Sequence, residues 1–158
     1  GIIHRALTAI RLKDMEEAMQ NMTQLFNHGF VRRTLQTSHF PYRGVFPDLT
    51  GAVPAFLVEM SVFSMPGIVE FLPTMPDYLM QGSIDGVWLY TVAKLEHMEW
   101  NEHGAKAVLT SGKAQTLTLR CRRKGARILV DGTELPMDDD AAIYAFREGE
   151  TVQVEILF

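Results

Sequence analysis

Two carboxylates stand out by their surroundings. Asp48 sits in a stretch rich in proline and aromatic residues, just ahead of an apolar run, and Glu59 is the single charge between Pro54 and Ser64. Hydrolysis of a glycosidic bond needs two carboxyl groups, one as acid and one as base or nucleophile, held at a fixed separation across the sugar. A plainer reading competes for each. Asp48, or Thr50 nearby, can satisfy backbone donors at a helix start, and Glu59 can make a structural ion pair or hydrogen bond. Trp88 and Tyr90 share one face of an expected strand, where they could stack on a sugar ring or pack into a core. Trp100 closes the next strand and reads as packing.

Other chemistries have less behind them. The histidines at 4, 28, 39, 97 and 103 show no paired ligand spacing, and zinc wants three or four converging ligands. No metal or cofactor is expected. Neither a Gly-x-Ser-x-Gly elbow nor a phosphate-cradling glycine loop occurs. Cys121 is alone, which excludes a disulfide framework. Arg120, Arg122, Arg123, Lys124 and Arg127 read as a basic hairpin, either a solvated face or an anion site. Asp138-Asp139-Asp140 reads as a solvated turn. The Asn21-Met22-Thr23 glycosylation pattern lies mid-helix and is attributed to chance.

The elements that position these residues follow from periodicity. Asp14 is a good N-cap, with Glu16 and Glu17 in the first turn, where carboxylates favour the helix dipole. Met15, Ala18, Met19, Met22, Leu25 and Phe26 recur at helical spacing up to Asn27-His28-Gly29, which predicts a helix over 15–27. Residues 2–12 read as another, without a visible N-cap. Residues 30–50 form a long ordered loop. Pro54 suits the first turn of a third helix running to Ser64, apolar all round and therefore in need of cover all round. We expect that cover to come from upstream helices, with Gly1 as a cloning scar.

From Ser83 the period becomes two. Leu117, Leu119 and Cys121 share one face, Val152, Val154, Ile156 and Phe158 another, and turn signals fall at 101–104, 111–112, 124–125, 131–132 and 148–149. Asp131-Gly132 suits a two-residue hairpin. The fold class is thus α+β: a helical segment over 1–66, a connection over 67–82, and an antiparallel β-sandwich over 83–158. With 15 basic against 19 acidic residues the net charge is −4, which argues against a nucleic-acid partner. No apolar stretch reaches the ~18 residues of a membrane span, and no signal peptide is visible.

The run Asp48, Glu59-Met60, Ser64, Gly67, Leu72-Pro73-Thr74-Met75-Pro76, Gly82-Ser83-Ile84-Asp85-Gly86 and Trp100 resembles the α-L-fucosidases of glycoside hydrolase family 95. It covers about the middle third of the chain. The resemblance implies that the helices are the end of an α/α toroid and the strands its C-terminal sandwich. It further implies that Asp48 is the base of an inverting hydrolysis. The general-acid glutamate and the water-positioning asparagines would lie before residue 1, so the missing N-terminal part of the parent becomes the chief partner, with a carbohydrate as substrate. The compartment implied is secreted or periplasmic. The chain departs from the family where Gly-Asn-Phe-Gly becomes Leu49-Thr50-Gly51-Ala52, where Arg-Gly-Gly becomes Thr91-Val92-Ala93, and at Pro54. The rival reading is a non-catalytic carbohydrate-binding or bracing module using Trp88 and Tyr90, and a third is a relative whose site has been lost.

Overall fold

A computed structural model describes residues 1–32, 36–38 and 44–158. His39, Phe40, Pro41 and Tyr42, part of the expected ordered loop, lie outside the described residues. The chain divides into two compact units, Gly1–Met60 and Ser61–Phe158.

The first unit holds α1 (Ile2–Leu12), α2 (Met15–Asn27) and most of α3 (Pro47–Ser61). The first two helices fall where cap and period chemistry place them. Asp14 Oδ1 accepts from the Glu17 amide at 3.0 Å, and Ala18, Met22 and Leu25 are buried along one stripe. Arg5 reaches Glu17 at 2.9 Å, and the Asn21 amide donates to the same carboxylate at 2.8 Å. These bonds, Asn21's first, hold the Glu17 carboxyl below its usual range.

α3 differs from expectation at both ends. It begins at Pro47 rather than Pro54, so Pro47 takes the position where a missing N–H costs nothing. Pro54 is therefore interior, and no amide is present there to reach the Thr50 carbonyl. The helix stops at Ser61, not Ser64, because the apolar run continues as a strand. Phe56 and Met60 are fully buried, Val58 is partly covered, and Leu57 is 50 % exposed. The helix is thus not sealed on every side.

The second unit is a two-layer β structure. Its first sheet has the order β1 (Val62–Met65), β2 (Ile68–Phe71), β6 (Gln115–Arg120), β10 (Ala141–Phe146), β9 (Met137–Asp138). Its second has the order β3 (Gly82–Leu89), β4 (Ala93–Asn101), β5 (Gly104–Ser111), β11 (Thr151–Leu157), β7 (Arg127–Val130), β8 (Thr133–Glu134). The alternation read from sequence fixes the inward faces: Leu117, Leu119 and Cys121 from one sheet and Val152, Val154 and Ile156 from the other are all buried. All pairings are antiparallel except β2 with β6, which run parallel from Ile68↔Thr118 to Glu70↔Arg120. The β1–β2 hairpin, turned at Pro66-Gly67, thus joins the sandwich sheet although it precedes residue 83. Asp131-Gly132 makes the expected two-residue turn between β7 and β8, with φ of 47° and 78° as a type I′ turn requires.

Two local features shape the second sheet. Gly82 lies beneath the Trp100 ring, which Nε1 anchors by donating to the Leu79 carbonyl at 3.1 Å; a Cβ at residue 82 would stand 2.5 Å from the ring. Gly86 has φ of 69°, and opposite it the β4–β5 register slips between Leu95 and His97. The in–out alternation changes phase there on both strands: Ile84 pairs with buried Met98, whereas beyond Gly86 it is Val87 that pairs with buried Leu95.

Candidate functional site

Asp48 stands in the first turn of α3 rather than in the loop before it, and it is exposed. A carboxylate there is favoured by the partial positive charge of the helix start. The neighbouring Thr50 hydroxyl lies 2.7 Å from that of Thr37, which donates to the Phe46 carbonyl. Side chains tie the loop to the helix here, without Asp48 in the bonds. Glu59, the second carboxylate singled out by sequence, meets Arg11 of α1 in a two-pronged pair at 2.8 and 2.7 Å. That planar fork is the geometry guanidinium groups favour with carboxylates. It gives Glu59 a structural partner within the helical unit, and the structure does not bring it together with Asp48 as a catalytic pair.

The basic residues at 120–127 do not form a hairpin. β6 ends in one sheet and β7 begins in the other, so the segment between them crosses the sandwich. Carboxylates meet the four arginines: Arg120 pairs with Asp140 at 2.9 Å, Arg122 with Glu70, Arg123 with Asp77 at 3.1 Å and Arg127 with Glu134 at 3.2 Å. The Glu70 carboxylate, buried and hydrogen-bonded to Arg122, raises the guanidinium above its ordinary value. The groove of about 740 Å³ beside this segment is lined by both signs of charge, so an anion would meet arginines already engaged. Asp140 belongs to this network, which corrects its reading as part of a solvated turn. Desolvation pushes the Cys121 thiol up, leaving it a poor nucleophile. Among the described residues no group of three His, Cys, Asp or Glu side chains is placed to hold a metal.

Trp88 and Tyr90 are the residues whose placement differs most from core packing. They are 76 % and 78 % exposed, while Leu89 between them is buried. Trp88 lies on β3, an edge strand, and Tyr90 lies just past its end in the turn, where its amide donates to Ser64 Oγ at 3.0 Å. The phase change at Gly86 is the physical reason for the first. Alternation carried unbroken from Ile84 would turn Trp88 inward; the slip turns it out. The Lys94 ammonium sits 5.9 Å from its ring centroid and pairs with Glu96. That pair, together with a Thr110 hydroxyl, holds the Glu96 carboxyl below its usual range. Thr110 and Thr151 hydroxyls lie 2.9 Å apart on the same outer face. Sequence alone marked Trp88 but missed this polar company, because Lys94, Thr110 and Thr151 are neighbours only across strands.

No family model matches the chain, and no curated protein does. Solved structures do overlap it in part. A GH127 β-L-arabinofuranosidase from Geobacillus stearothermophilus T6 matches at a TM-score of 0.45 and 15 % identity, over 71 % of this chain and 18 % of the other. A second GH127 β-arabinofuranosidase matches at a TM-score of 0.47 and 12 % identity, over 99 % of this chain and 31 % of the other. A trehalulose synthase from Pseudomonas mesoacidophila MX-45 matches at 0.30 and 10 %, over 76 % and 22 %. The chain spans a third or less of the length of each.

Proposed function

We propose that this chain is the C-terminal part of a glycoside hydrolase of the helical-toroid kind, fucosidase-like in substrate. Its first unit contributes the last helices of the catalytic body, and its second is the appended sandwich. Asp48 acts as base on a water that attacks the anomeric carbon with inversion, while the general acid comes from a segment outside this chain. The observation that carries this reading is the position of Asp48: an exposed carboxylate in the first turn of a helix whose one other charge, Glu59, is paired with Arg11, followed by the order of helix, connection and sandwich that the sequence resemblance implies. No hydrolysis is expected from the 158-residue chain alone.

The test is Asp48→Asn in the longer protein, assayed on aryl α-L-fucosides with aryl β-L-arabinofuranosides for comparison. Loss of a general base typically costs 10²–10⁴-fold in rate. A rate within a factor of two of the unsubstituted enzyme removes Asp48 from catalysis.

A second reading rests on a different observation. Trp88 and Tyr90 expose large aromatic surfaces on one edge of the sandwich, as a non-catalytic carbohydrate-binding module requires.

A further inference from the structure

We propose that the outer face of the second sheet carries a linear binding row for a neutral oligosaccharide, running across the strands from Trp88. The proposal deepens the carbohydrate reading of the sandwich and rests on it.

The row is set by register. Trp88 on β3 pairs with Lys94 on β4, Lys94 with Thr110 on β5, and Thr110 with Thr151 on β11. Side chains directly opposite on adjacent strands share a face, so these four lie in one line at about 4.8 Å per strand, roughly 14 Å in all. That length suits a few consecutive sugar rings laid flat. Trp88 supplies an exposed apolar plane for the C–H face of a ring at one end. Beyond it come an ammonium, the Glu96 carboxylate and two hydroxyls, all groups that exchange hydrogen bonds with sugar hydroxyls.

The order within the row matters as much as its content. Lys94 binds Glu96, Thr110 helps hold the same carboxyl below its usual range, and the two threonine hydroxyls bond to each other. The chain of bonds fixes the side chains before a ligand arrives, yet leaves capacity: an ammonium has three donors, a carboxylate about four acceptor sites, and each hydroxyl two. Lys94 and Glu96 cancel in charge and Trp88, Thr110 and Thr151 are neutral, so the row itself favours an uncharged polyhydroxylic chain over a uronate. Exposure of the tryptophan follows from the Gly86 phase change, which places the indole on this face.

The experiment is isothermal titration calorimetry of the 158-residue chain with xylohexaose, cellohexaose, laminarihexaose and hexagalacturonate as probes. At least one neutral hexasaccharide should bind saturably and more tightly than the uronate. Trp88→Ala should weaken it at least tenfold, about 1.4 kcal/mol, and Thr110→Val at least threefold. Ile143→Ala, an exposed site in the other sheet, should leave it unchanged, and unaltered melting of each variant confirms that the fold is intact. Binding by none of the neutral probes, preference for the uronate, or affinity indifferent to both row substitutions overturns the row. That failure is separable from failure of the catalytic reading, which the Asp48→Asn rate in the longer protein decides on its own.

Discussion

Replacing Gly82 by alanine tests whether the start of β3 is fixed by an aromatic ring rather than by backbone preference. The new methyl carbon would lie 2.5 Å from one Trp100 ring atom and 3.0 Å from two more. Those distances fall well inside van der Waals contact, so something must yield. The ring is poorly placed to do so, because its Nε1 donates to the Leu79 carbonyl at 3.1 Å. Overpacking of this kind costs about 1–3 kcal/mol. Against it stands the gain from stiffening the unfolded chain, about 0.4–1 kcal/mol for glycine to alanine. The net expectation is a loss of roughly 1–2 kcal/mol, which for a unit of about 100 residues lowers Tm by about 4–8 °C per kcal/mol. Urea unfolding followed by tryptophan emission reads the right unit, since Trp88 and Trp100 both lie within Ser61–Phe158. A double-mutant cycle sharpens the test. In a Trp100→Ala background the clash is gone, so Gly82→Ala should be neutral or stabilising, with a coupling energy above about 1 kcal/mol. Additive effects, or a single variant within 0.5 kcal/mol of the original, would refute the reasoning.

Further outcomes follow from the same geometry. Pro54→Ala restores a helical amide inside α3 and should raise both helicity and the stability of the first unit, by up to about 3 kcal/mol, read by circular dichroism on denaturation. Leu119→Ala, at a fully buried site in a central strand, should cost about 2–5 kcal/mol in urea midpoint terms. Burial raises the Cys121 thiol pKa, so a thiol reagent at pH 8 should label the folded chain far more slowly than the unfolded one. Glu150 accepts from the Arg147 amide at 2.7 Å and its guanidinium at 2.9 Å, and its pKa is lowered by them. A carboxyl depressed in the folded state stabilises fully above its unfolded pKa and loses that contribution as pH falls below about 4.5. Glu150→Gln should therefore flatten the acid limb of a Tm-against-pH curve while leaving its shape near pH 7 unchanged.

The parts legible in sequence were those decided by local chemistry. Asp14, its first-turn glutamates and a 3.6-residue stripe gave α2 its bounds, and Asp131-Gly132 gave a turn, because each signal acts within a few residues. The misses share a cause as well. Val62-Phe63-Ser64-Met65 extends the apolar run of α3 without a change of period, so only pairing with Ile68–Phe71 marks it as strand. Pro54 reads as a helix opener because interior prolines are rare, yet Pro47 had taken that role. The arginines of 120–127 look like one turn until β6 and β7 are seen to belong to different sheets. For the candidate site, Asp48 and Trp88 were visible as residue types. The row beside Trp88 was not, since it is written across four strands and depends on a phase slip at Gly86.

The parallel pairing of β2 with β6 bears on how this module can be cut or inherited. A piece begun at Ser83, where the alternating pattern sets in, would strip β6 of its neighbour over Thr118–Arg120 and bare a strand edge ready to recruit another chain. Residues 61–80 are therefore cargo that the sandwich must carry wherever it is transplanted, and fusions split upstream of Ser61 should stay monodisperse where those split at Ser83 clump.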